Sequence, residues 1–247
     1  MTTLPAAKKP SELVVRSANV PKLSDYREYK PYLRRDFLHS CAYCTMSEAE
    51  ALAIRFTIDH YEPQRARSDL VNDYGNLMYC CNECNIRKGD RTPPADARAK
   101  GIKFFRPDTD FFEDHFTLNG IRLDPASPAG DYSIHALDLN RAMLRKLRDL
   151  RQREKLAREA VAAGVRALRG VSIDRLPKSI RGRAAVAMAQ AEKAASDLAR
   201  EIEDLLCEHA GSPLIDLPEE PDEQKARTQR LKDLQAMIPG AWRARDA

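Results

Sequence analysis

The sequence predicts an α+β fold, in which a small cysteine-bearing module of short strands and a short helix is followed by long helices. Three observations carry this. Two Cys-x-x-Cys pairs, Cys41/Cys44 and Cys81/Cys84, bracket segments of strand character. Asn119-Gly120 sits between apolar residues in the pattern of a tight hairpin. Beyond Leu139, apolar residues recur at three- and four-residue steps over two long stretches.

Residues 1 to 20 mix Pro, Lys, Ser and small residues, which suits an extended or partly disordered arm, with Leu13 to Val15 a candidate short strand. Tyr26, Tyr29, Leu33 and Phe37 then fall at helical spacing, with Ser24 as the expected cap and Pro31 as a kink. Phe56 to Pro63 has the β-branched and aromatic content of a strand ending in a turn, and a second strand fits Asn76 to Cys80. Asn82 is the expected cap of a short helix that stops at Gly89 and Pro93-Pro94. The alternation in HFTLNGIRL predicts the hairpin, centred on Asn119-Gly120. An amphipathic helix from about Leu139 to Leu168 and another from about Ser179 to Cys207 are expected to pair as a C-terminal helical hairpin across the Gly170 to Pro177 link. A Pro- and acid-rich linker precedes a short helix around Gln224 to Met237. The domain organisation that follows is an arm at 1–23, a first domain at 24–124, a helical region at 135–210 and a linker with its helix at 211–247.

The chain has 247 residues and 43% hydrophobic content, enough for a proper core. No run of eighteen apolar residues and no cleavable leader pattern stands out, so neither membrane insertion nor secretion is suggested, and the expected location is the cytoplasm. A net charge of +4 is too mild to argue for a nucleic-acid partner by itself. Its distribution is more informative. Between Arg141 and Arg183 fourteen Lys/Arg face four acids, whereas from Ala191 to Glu223 two bases face eleven acids. That layout suits one face meeting phosphates and another meeting water or a basic partner; a solvated helix surface of uneven charge is the alternative.

Four of the six cysteines form the two pairs, and in a chain without a secretion signal that spacing favours a metal over disulfides. Each pair lets a tight knuckle present two sulfurs to one tetrahedral ion at about 2.3 Å, and two knuckles close a four-cysteine site with no open position, as befits structural Zn²⁺. Redox pairs or buried thiols are the alternative. Cys80 reads as a strand or turn residue beside this site and Cys207 as a core residue of a helix face.

Within the same frame lie Asp59-His60, Asn76 and Asn85, and the pieces CAYC, IDHYEP, NLMYC and CNECNIRK occur in that order. Together they resemble the HNH endonuclease family, whose ββα-metal module carries Cys-x-x-Cys, Asp-His, Asn-Leu and a second Cys-x-x-Cys followed by His or Asn and then Lys. The resemblance covers about fifty residues. The aromatic lead-in YLRRDFLHSCAYC is similar to that of stand-alone bacterial HNH proteins, some of which act in anti-phage defence. It implies a metal-dependent endonuclease acting on DNA, with His60 as general base, Asp59 and Asn85 holding a catalytic Mg²⁺ or Mn²⁺, and Asn76 fixing the loop that orients His60. Asn85 stands where many members have His. The chemistry agrees: a hard cation on oxygen ligands offsets charge on the scissile phosphate, and an imidazole can take a proton from water near neutral pH.

Lys88, Arg87 and Arg91 follow Asn85 closely enough to be candidate phosphate contacts. A nucleic-acid-binding module without cleavage is a rival reading, although a pure binder has no need of a base beside a hard-metal site. A third reading, compatible with the first, is an adaptor or toxin-like subunit whose C-terminal helices dock a larger protein partner. No membrane partner is expected.

Overall fold

In the computed structural model, residues 14–51, 54–169, 176–211 and 221–238 are described. The chain divides into two compact units, Met1–Leu144 with Asp216–Ala247, and Arg145–Ile215. Expectations for residues 1–13, for most of the 170–177 link and for the side chain of Cys207 lie outside the described residues.

In the first unit the arm residues 15–17 are fastened. The backbone N–H of Val15 and of Ser17 donate to the Asp36 carbonyl and carboxylate, and Arg16 lies between the rings of Phe37 and Tyr74, donating to the Leu77 carbonyl at 2.7 Å and to Asp108 at 2.9 Å. No strand forms at Val14 and Val15. The lead-in begins as a 3₁₀ turn at Tyr26–Tyr29 and continues as α1, Lys30–Asp36. Asp25, not Ser24, accepts the capping hydrogen bond, and Pro31 falls in the first turn of α1, where its missing N–H has no partner to lose; it therefore makes no kink.

Strand β1, Phe56–His60, pairs antiparallel with β2, Leu77–Cys81, from Phe56 opposite Cys81 to His60 opposite Leu77. All five residues of β2 are buried, and Leu33 and Phe37 pack beside it from α1 and its C-terminal end. Helix α2, Asn82–Lys88, follows with no intervening loop. Its cap is Cys81, whose Sγ accepts from the Cys84 N–H, so Asn82 is the first helical residue and not the cap. A cysteine sulfur can accept that N–H as an Asn side-chain oxygen would.

Short helices α3, Ala95–Ala99, and α4, Phe112–His115, precede the second sheet, β3 Phe116–Asn119 with β4 Arg122–Pro125. Its turn is one residue further on than expected. Asn119 pairs with Arg122, leaving Gly120 and Ile121 as the loop, with φ +57° at Gly120 only, the pattern that favours Gly at the first turn position.

The sequence reading placed no helix at α5, Pro128–Ala136, which is capped by Ser127 and opened by Pro128. It approaches α4 so closely that a Cβ on Gly130 would stand 1.9 Å from the His115 carbonyl oxygen. Tyr132 packs against Phe104 at 4.8 Å, and Phe105, Phe112 and Phe116 complete the aromatic cluster.

Helices α6, Ala142–Arg169, and α7, Lys178–Gly211, match the two long helical expectations closely in extent. On α7 the half-buried positions recur at Ala184, Met188, Ala191, Ala195 and Leu198, at the three- and four-residue steps of an amphipathic helix. No helix among the described residues is long and apolar enough to cross a membrane. Helix α8, Pro221–Met237, returns to the first unit and packs on α5. Leu234 and Ile238 are buried there, Arg227 donates to Asp138 at 2.8 Å, and Arg230 pairs with Asp131.

Burial opposes ionisation of Asp131, but the hydrogen bond from His135 and the Arg230 guanidinium outweigh it and hold its carboxyl at about 2, against an ordinary 3.8. A carboxyl lowered in the folded state adds stability above its unfolded value, and that stability is lost as pH falls through the folded value. Thermal unfolding between pH 6 and pH 2 should therefore show the parent chain losing more stability below about pH 4 than Asp131→Asn, which is the less stable of the two near neutrality. Parallel curves would contradict the pairing.

Candidate active site and metal centre

The first knuckle is shaped by its own backbone. Cys41 N–H donates to the Met46 carbonyl, Thr45 N–H returns to the Cys41 carbonyl, and Ala42 N–H ties the turn to Tyr79 of β2. Thr45 takes a left-handed conformation, φ +61°, to close it. Cys81 at the end of β2 and Cys84 in α2 supply the second pair. All four cysteines are buried, and their sulfurs lie within 4.8 Å of one another, with Cys44 and Cys81 3.8 Å apart. Tetrahedral coordination at about 2.3 Å needs sulfurs about 3.8 Å apart, so the four thiols fit a closed zinc site. Burial pushes the Cys41 thiol up, whereas hydrogen bonds from Cys41, Cys81 and Cys84, reinforced by Arg141, draw Cys44 well down. Cys80 is the strand residue beside them, opposite Thr57.

Arg141 was counted in the sequence only as part of a basic stretch. Here it is buried, with Nη2 3.8 Å from Cys84 Sγ and Nη1 donating to the Asp138 carbonyl. No local pattern marks it, because its partner is 57 positions away.

A cleft of about 740 Å³ opens between the end of β1 and α2, lined by Asp59, His60 and Asn85 together with Tyr26, Gln64 and Arg65. Three of the expected site residues thus meet in one place. His60 Nε2 lies 3.0 Å from the Val71 carbonyl oxygen. A carbonyl only accepts, so this contact requires the proton on Nε2 and leaves Nδ1 as the accepting nitrogen. The Gln64 amide stands 3.1 Å from Nδ1, and the edge of Tyr26 packs on the imidazole at 4.7 Å. Asn76 lies deeper. Its Oδ1 accepts from the Glu62 N–H, and its Nδ2 donates to the carbonyls of Glu62 and Leu70, the residue before Val71.

Asp59 is turned inward. Lys88 Nζ lies 3.1 and 3.0 Å from its two oxygens and 2.7 Å from the His60 carbonyl, and the Tyr43 hydroxyl donates to Oδ2 at 2.5 Å. Burial pushes this carboxyl up, against the pull of Lys88 and Tyr43. Asn85 is half-buried, and no hydrogen bond to its amide forms among the described residues. The Asn85 amide thus offers an oxygen on its side of the cleft, while at Asp59 an ammonium already occupies the place a cation would take.

The expected phosphate contacts do not gather in the cleft. Lys88 is fully enclosed and committed to Asp59. Arg91 is buried and donates to the Ala136 carbonyl at the end of α5, where helix carbonyls favour a cation. Arg87 pairs with Glu83 at 2.9 Å, four residues earlier on α2. Among the described lining residues the cation is Arg65, whose side chain is 85% exposed and lies 3.9 Å from the carboxylate of Asp90, another exposed lining residue. Sequence reasoning passed over it because it lies in a polar turn outside the motif.

Residues 41–91 match the family model described as HNH endonuclease. No curated protein matches the chain, and no solved structure does. The match supports a nuclease function in general and, with it, a nucleic-acid substrate.

Two outcomes test this geometry. Metal analysis of purified protein should find about one zinc per chain, and Cys81→Ser should lose it together with thermal stability. Lys88→Met should destabilise the chain by about 3–5 kcal/mol in urea titrations by leaving Asp59 unpaired, with Asp59→Asn in the same chain restoring much of the loss.

Proposed function

We propose that the chain is a metal-dependent endonuclease that hydrolyses phosphodiester bonds in DNA, with His60 as general base. The observation that carries this reading is the His60 imidazole, held by the Val71 carbonyl through Nε2 in a cleft shared with Asn85. Nδ1 then takes a proton from water as the water oxygen attacks phosphorus, and the bond to the leaving oxygen breaks with its electron pair going to that oxygen. Asn76 acts through the backbone, bracing the segment that ends in Val71. Arg65 takes the phosphate-contact role first assigned to Lys88, Arg87 and Arg91. The four cysteines hold structural zinc and set the position of α2, hence of Asn85. A Mg²⁺ or Mn²⁺ ion held by Asn85, and by Asp59 once its carboxylate exchanges Lys88 for the ion, would offset charge on the phosphate and the leaving oxygen.

The Asp59–Lys88 pair and the Gln64 amide on His60 favour one elaboration, in which the nuclease is gated by substrate or by a larger protein partner on the C-terminal helices. A role in anti-phage defence draws only on the aromatic lead-in.

Supercoiled plasmid incubated with the full chain and Mg²⁺ or Mn²⁺ should convert to nicked or linear forms, with EDTA abolishing conversion. His60→Ala should be slower by about 10²- to 10⁴-fold. Equal rates in the two proteins would remove His60 from the chemistry; silence from wild type with either metal would leave the gated or binding-only reading.

A further inference from the structure

Arg141 lies outside the matched segment, immediately before α6, and is 3% exposed. Such depth is unusual for arginine without a charged or strongly polar partner. Its fork is aimed by the turn that joins α5 to α6, since Nη1 donates to the carbonyls of Leu137 at 3.3 Å and Asp138 at 3.2 Å. Nη2 is thereby directed at Cys84 Sγ, 3.8 Å away. Cys81 Sγ already accepts from a backbone N–H, that of Cys84, whereas the donor given to Cys84 is this side chain.

The charge balance explains why a guanidinium belongs there. A divalent ion bound by four thiolates leaves a buried cluster with a surplus of negative charge, which is costly away from water unless a cation stands beside it. A guanidinium stays protonated under all ordinary conditions and can donate a hydrogen bond while supplying that charge. We propose that Arg141 is a positioning residue of the four-cysteine metal site, donating to the Cys84 thiolate and balancing the cluster's charge, so that the α5–α6 turn forms part of the site. This rests on reading the four cysteines as a metal site, and it adds to that site a residue from outside the motif.

The test uses the full chain loaded with Co²⁺ in place of zinc. A hydrogen bond and a nearby positive charge stabilise thiolate electrons, so Arg141→Ala should move the thiolate-to-cobalt charge-transfer absorption to longer wavelength. Metal release to a chromogenic chelator should quicken by about 10- to 100-fold, with Arg141→Lys intermediate in both readings. A folded Arg141→Ala protein with unchanged absorption and release would overturn the proposal, even if its melting temperature fell, because a merely structural role leaves the absorption in place. If Arg141→Ala does not fold, Arg141→Gln keeps a donor but removes the charge: a shift to longer wavelength supports the proposal, and no shift overturns it. Absence of thiolate–cobalt absorption in the wild-type chain would instead refute the metal site itself, and the role of Arg141 with it.

Discussion

The convergence of four buried thiols is the constraint on which the rest of the first unit depends. A two-stranded sheet five residues long is marginal on its own in water. Here its far edge is fixed through the knuckle at Cys41–Cys44, and its end runs straight into α2 through Cys81 and Cys84. Cys81 caps α2 and Cys84 lies in its first turn, so Asn85, the residue after Cys84, sits directly beside the sulfurs.

Burial works differently a few ångströms away. Asp59, Lys88 and Tyr43 form a polar knot inside the core, where each partner would be expensive to leave alone. The knot crosses from β1 to α2, so the strand that carries His60 and the helix that carries Asn85 are joined by charge at the floor of the cleft. Above it His60 is itself only 7% exposed, with the Gln64 amide 3.1 Å from Nδ1 and the Tyr26 ring against the imidazole.

Much of this was legible in the sequence. The cysteine pairs, the strand ends at Asp59-His60 and the long helices each rest on spacing or periodicity, which are local properties. What was not legible depended on distant partners. Nothing around Lys88 says that it faces a carboxylate 29 positions earlier and not solvent, and the same holds for Arg91 with Ala136 and Arg141 with Cys84. A basic residue after a motif reads as a surface charge until the fold supplies its acid. Other misses had local signals. Ser127-Pro128 is a cap followed by a helix-opening proline, and Asp25 competes with Ser24 as a cap at the adjacent position. The cap of α2 fell to Cys81 and not Asn82 because a cysteine sulfur can accept the N–H that a capping oxygen otherwise takes.

The return of α8 to α5 changes what the α6–α7 region is. The first unit includes both Met1–Leu144 and Asp216–Ala247, so the chain leaves it, builds Arg145–Ile215, and comes back. That intervening unit is an insertion and not a tail. Helices in such an insertion can be lengthened, shortened or exchanged while the body that carries His60 keeps its own core and closing helix, which makes this the part of the architecture where new attachments can be acquired most cheaply.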